Sequence, residues 1–189
     1  MSFPRRVAIF RVKVPSGARV LGLASGFFTV DNVDDFVGRM ALVDKEFGTV
    51  TQAFNAFRVA GLEHLVHASR LAIIANESGR GFADSLAIEL ICWVAAERQI
   101  YRAFEKMGVR RGRNALVIVS VGRSASQVKK AIMKIFRDNG GNWDNSLMEL
   151  KEEKVRELQR IFSITPEEIA VAPLEKLVLE RVSLLALAK

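Results

Sequence analysis

Leu86 to Ala96 is apolar at every position but one, and the exception, Glu89, stands near its centre. The run is far short of the roughly 20 residues that cross a bilayer, so the rest of the chain or a partner must cover it. Burying a carboxylate without partners costs several kcal/mol, so Glu89 has to be paired, and Arg80 or Arg98 can supply the charge. Glu97-Arg98-Gln99-Ile100 follows, then an amphipathic stretch closing at Met107-Gly108. A greasy helix is thus joined to one with a basic face.

Around this centre the pattern alternates between strand and helix signals. Arg6 to Val14 reads as a strand, and Arg19 to Leu23 as a second, joined through Pro15-Ser16-Gly17 in a hairpin with a wide loop. Asp31 is placed to cap a helix that ends at Phe47-Gly48, while Val50 to Ala60 fits either periodicity. Helices are expected over 62–76, 83–96 and 97–107, and Asn114 to Val121 is a β-branched buried strand. Ser124 caps the next helix; Asn139 to Asn142 is a loop; Leu147 to Phe162 is a charged helix. Thr165-Pro166-Glu167-Glu168 opens another helix, and Pro173 precedes the last. The fold class is α+β: a small, mostly antiparallel sheet packed with several helices, in a single domain over residues 1–189.

The chain has a formal charge of +7, but the charge is concentrated. Between Arg98 and Arg137 there are eleven Lys or Arg against one acid, Glu105. A footprint that dense suits a phosphate backbone. Arg98, Arg102 and Lys106 share one helical face, Lys130, Lys134 and Arg137 share another, and Arg110, Arg111 and Arg113 link them. With Arg80 and Gln99 nearby, the two ridges make a groove for RNA, although each alone is also what a solvated helix face looks like.

Other constellations argue against chemistry. His64 and His67 share a helical face, but the chain has no further His to complete a metal site, so both read as structural. Cys92 lies between Ile91 and Trp93 and reads as a core thiol; being alone, it excludes an intrachain disulfide and fits a reducing compartment. Gly79-Arg80-Gly81 and Gly122-Arg123-Ser124 have the form of phosphate-binding turns, as do many ordinary loops. No Ser-His-Asp set or carboxylate dyad appears, so the chain reads as non-catalytic, without metal or cofactor. Met1 to Arg6 is too short and polar for a secretory leader, and a cytoplasmic protein with no membrane contact is expected.

His64-Leu65, the glycine turn with Arg80, Leu86 and Glu89, Arg98-Gln99-Ile100, Ala103 and Gly108 form a series. It resembles the small kinase-binding subunit of the KEOPS complex, related to the PRPK-binding protein of eukaryotes. The resemblance is good from His64 to Val121, looser from Leu174 to Leu185, and general in the front third. Residues 139–165, a polar loop plus charged helix, go beyond the compact archaeal form as a family-variable insertion. The resemblance implies an accessory subunit that binds the complex's kinase and recruits tRNA, through its single-stranded CCA end, for threonylcarbamoylation of adenosine by a separate catalytic subunit. RNA contacts are expected at Arg80, Arg98, Gln99 and Arg102, with Lys130 and Lys134 on remoter backbone. Kinase contacts are expected at Leu86, Leu90, Trp93, Leu177 and Leu184. The rival expectations are a general RNA-binding module and a protein-interaction regulator of a kinase with no RNA role.

Overall fold

A hairpin at the front of the chain starts the sheet. In the computed structural model, which describes residues 6–187, β1 (Ala8–Val14) pairs antiparallel with β2 (Gly17–Val30). Of Met1 to Arg6, read as no secretory leader, residues 1–5 lie outside the described residues. Val14 faces Gly17 across a two-residue connection, Pro15-Ser16, tighter than the wide loop expected. After β2 come α1 (Val33–Phe47), β3 (Val50–Asn55), α2 (Leu62–Glu77), α3 (Leu86–Val94) and α4 (Ile100–Met107). The chain continues through β4 (Gly112–Gly122), α5 (Ala125–Asp138), β5 (Asn142–Trp143), α6 (Glu152–Ile161), α7 (Pro166–Val171) and α8 (Leu174–Leu184).

The described residues divide into two compact units, 6–56 with 109–148 and 57–108 with 149–187. The first holds the sheet, ordered β1-β2-β4-β3, with β5 pairing to β2 at Gly26 and Phe27; every pairing is antiparallel. Helices α1 and α5 cover one face, burying Phe36, Met40, Ile132 and Phe136 against Ala24, Phe28, Ala53 and Ile118. Gly22 lets α5 approach this closely, since a Cβ there would stand 2.9 Å from that of Val128. The cap of α1 is Asn32, whose side chain accepts from the Asp35 amide, not Asp31 beside it. Ser124 and Gln127 cap α5 reciprocally, as the sequence indicates.

The second unit is helical. α3 packs on α2 and α4, and α8 packs on α2, burying Leu65, Ile73, Leu90, Ile91, Val178 and Val182. Thr165 and Glu168 form the expected capping box on α7. The charged helix starts later than its composition suggests, at Glu152, because residues 145–148 form a separate 3-10 turn. Its inward face includes Lys154, 1% exposed, with Nζ donating to the Val59 carbonyl at 3.4 Å. Burial pushes that ammonium down to about 8. The architecture is α+β, with an antiparallel sheet and helices packed on it, as the sequence indicates. Among the described residues no helix is long and apolar enough to cross a membrane.

Candidate functional site

The apolar run folds as α3, and its lone acid is paired, though not through an arginine. Oε2 of buried Glu89 accepts from the amides of Phe82 (2.8 Å) and Ala83 (2.9 Å), and Oε1 accepts from the Trp93 indole Nε1 at 2.8 Å. Three donors offset the desolvation that an unpartnered acid would carry. This corrects the expectation of Arg80 or Arg98 as partner: two of the donors are main-chain groups that residue spacing does not display. Gly81 permits the arrangement, since a Cβ there would lie 2.8 Å from Glu89 Oε2. The amides following this glycine turn are therefore taken by the chain's own carboxylate. At the second glycine turn the amides of Arg123 and Ser124 both donate to Gln127 Oε1 at 3.0 Å. These amides of both turns are committed internally, so the phosphate-seat form is filled from within.

Phe82 forms part of an open pocket of about 680 Å³, lined also by Gly81, Ala96, Glu97, Arg98, Gln99 and Leu185. Its other side is the corner between α3 and α4, where Ala96 takes a left-handed φ of 48°, a conformation that costs a non-glycine residue roughly 1–2 kcal/mol. Arg98 lies over the Phe82 ring with Cζ 5.5 Å from the centroid, a cation–π contact. Glu97 accepts from the Gln99 amide at 3.1 Å and from Lys106 Nζ at 3.3 Å. Burial works to raise the Glu97 carboxyl, but the Gln99 amide, Lys106 and Arg102 outweigh it and hold the group below its usual range. The local acid is thus answered by neighbouring cations, and Arg98 and Gln99 stand exposed beside the aromatic wall. A guanidinium, a carboxamide and an aromatic face at an open pocket suit an unstacked base and its phosphate.

Of the RNA-contact candidates, Arg98 and Gln99 meet in this pocket, and Arg102 follows one turn later on α4, exposed. Arg80 is exposed on the preceding turn, its Nε donating to Ser78 Oγ at 3.4 Å, outside the pocket lining. Lys130 and Lys134 lie on α5 of the first unit. Lys134 is paired with Asp138 (3.0 Å) and Glu46 (3.7 Å), so that ridge offers less charge than its spacing suggests. Phe82, Glu97 and Leu185 line the pocket without having been singled out. An aromatic just after a glycine turn and an acid just before Arg98-Gln99 were legible signals for the first two; Leu185, far along the chain, had none.

The apolar candidates divide. Leu90, Trp93 and Leu177 are buried, because α3 is packed on α2 and α4 and α8 on α2; this corrects the expectation of an exposed docking face at those three positions. Leu86 is half-buried and Leu184 is 46% exposed.

The titratable side chains of His64 and Cys92 are structural. His64 Nδ1 accepts from the Ala60 amide (3.2 Å), and Nε2–H donates to the Val94 carbonyl (3.0 Å), so neither nitrogen is left for a metal. Burial lowers the imidazole to about 4. Unfolded His64 protonates below about 6.5 while the folded residue resists until about 4. Its contribution is therefore complete above the unfolded value and is lost as pH falls through that window, about 3 kcal/mol in total. Urea unfolding at pH 7, 5.5 and 4 should show this decline, and His64→Gln should flatten that portion of it. Burial, with Glu89 and Glu97 adding, pushes the Cys92 thiol up to about 12, an inert core group. Among the described residues no three His, Cys, Asp or Glu gather to hold a metal ion.

Fold and pocket define an α+β protein in which an open pocket sets a guanidinium, a carboxamide and an aromatic ring side by side. The sequence profile of the family described as kinase binding protein CGI-121 matches residues 27–186, and the chain belongs to that family. It is 28% identical over 142 residues to the regulatory protein Cgi121 of Methanocaldococcus jannaschii, an alignment covering 75% of this chain and 87% of that protein.

Proposed function

We propose that this chain is a non-catalytic, kinase-binding regulatory subunit of the KEOPS tRNA threonylcarbamoyladenosine-modification complex, and that it receives the single-stranded CCA end of tRNA. The observation that carries the reading is Arg98 placed over the Phe82 ring beside Gln99 at an open pocket, inside the span shared with a kinase-binding family. A CCA end offers unstacked bases and exposed phosphates, which such a pocket recognises by stacking and charge. Arg102 and Arg80 flank the pocket for phosphates, and Lys130 serves remoter backbone. The kinase docks on apolar surface at Leu184 and the accessible edge of Leu86, and the complex works in the cytoplasm. Residues 139–165 are a family-variable addition.

Deacylated tRNA should bind at least tenfold more tightly than the same tRNA lacking its CCA tail; equal binding overturns the tail-reading part. Co-purification with the kinase should survive nuclease treatment, and its loss would mean that RNA bridges the two. The second reading, RNA binding by backbone charge alone, is favoured by exposed Arg111, Arg113, Arg123 and Lys130. It predicts a steep fall in affinity with salt and no preference for the end.

A further inference from the structure

Glu89 does not line the pocket, yet it holds the wall that does. We infer that Glu89 is a positioning residue for the pocket: through the segment 81–83 it fixes Phe82, and through Phe82 it fixes the guanidinium of Arg98. The binding part of this inference rests on the proposed reading of the pocket as the seat of an RNA end.

Residues 81–83 lie between α2, which ends at Glu77, and α3, which begins at Leu86, and no strand or helix ladder holds them. Their backbone is tied instead by the two amides that donate to Glu89 Oε2. The Phe82 ring meets Trp93, with centroids 5.7 Å apart and planes at 31°, and carries Arg98 at 5.5 Å. Trp93 is in turn held by its indole N–H on Glu89 Oε1. One carboxylate thus secures both the backbone of Phe82 and the ring against which Phe82 packs. Gly81 sits directly on that carboxylate, so the loop follows it closely.

The device depends on having two acceptor oxygens. Three donors converge on them, and a carboxamide of the same shape offers one oxygen and an NH2 group. Whichever way Gln turns, its NH2 faces either the loop amides or the indole N–H. Glu89→Gln therefore preserves volume and removes one anchor. An ordinary packing residue would have no such requirement.

The experiment compares wild type, Glu89→Gln, Arg98→Ala and the double variant as full chains, using a short single-stranded RNA ending in CCA. Each single change should weaken binding about tenfold, the scale of one charged contact. The double variant should lose clearly less than the two single losses combined, because part of what Glu89 holds in place, through Phe82, is Arg98 itself. Additive losses overturn the proposal. A second readout needs no RNA: the Arg98 side-chain protons should be shifted upfield in NMR spectra by the Phe82 ring, and Glu89→Gln should return them toward ordinary arginine positions. Unmoved resonances also overturn it. Gly81→Ala, which presses a methyl onto Glu89, should produce the same NMR change, and it stands in should Glu89→Gln fail to fold. If the wild type ignores the CCA oligonucleotide, the proposed function fails at that point, and the NMR comparison still decides whether Glu89 positions Arg98.

Discussion

Trp93→Ala is expected to lower the folding free energy by about 3–5 kcal/mol, the usual consequence of emptying a buried aromatic site. The side chain is 3% exposed, and its indole supplies one of the three donors on Glu89. Truncation therefore opens a cavity beside α3 and also leaves Glu89 Oε1 short of a donor. Domains of this size are stable by only about 5–15 kcal/mol, so much of the margin disappears. Trp93→Phe separates the two effects: it keeps most of the ring and removes the N–H, for a loss of about 1–3 kcal/mol. Urea denaturation of the three proteins checks this, and a Trp93→Ala midpoint indistinguishable from wild type would put the residue on the surface. With the expected destabilisation, any partner capture that Trp93→Ala loses reflects unfolding, not a missing contact.

What the sequence made legible was what local chemistry decides. Ser124 and Thr165 cap their helices as read, because a cap is a bond between one side chain and an amide three residues on. Asn32 displaced Asp31 because neighbouring residues of like chemistry compete for the same position. The strand β4 was plain from its β-branched run. Residues 50–55 were ambiguous because a short apolar segment satisfies both periods, and pairing with β4 decides it. The far half of β2 was hidden since Ala24, Ser25 and Gly26 favour no strand by themselves; they lie in one because β4 and β5 pair with them.

The pocket was half legible for a related reason. Arg98 and Gln99 stood out as an unusual polar pair after a greasy helix. The partners of Glu89 did not, because backbone donors carry no sequence signature, and the two charged candidates were the only ones visible from composition. Apolar residues on α3 and α8 suggested spare surface, but which face each helix covers is set by contacts across the unit, such as α8 on α2. Lys154 illustrates the converse: a lysine of the charged helix is buried on the inner side of α6.

Leu177→Asp and Leu184→Asp should part company sharply, although both sit on α8. Leu177 is 5% exposed, in a helix packed against α2. Aspartate there loses the packing of a core leucine and buries an unpartnered carboxylate, together about 5 kcal/mol or more. That consumes most of the stability, so the variant should lose its cooperative thermal transition by circular dichroism. Leu184 is 46% exposed, and Leu184→Asp should stay within about 0.5 kcal/mol of wild type. If the kinase docks on this end of α8, the same folded variant should capture it about tenfold less well, the effect of losing an interface anchor. A normal melt for Leu177→Asp would move that residue to the exterior, and undiminished capture by Leu184→Asp would take the end of α8 out of the kinase contact. The pair discriminates because aspartate at Leu177, near the start of α8, meets the favourable end of the helix dipole, whereas at Leu184, its last residue, it meets the unfavourable one. The larger loss at Leu177 can then come only from burial, which is the difference that decides between fold and partner.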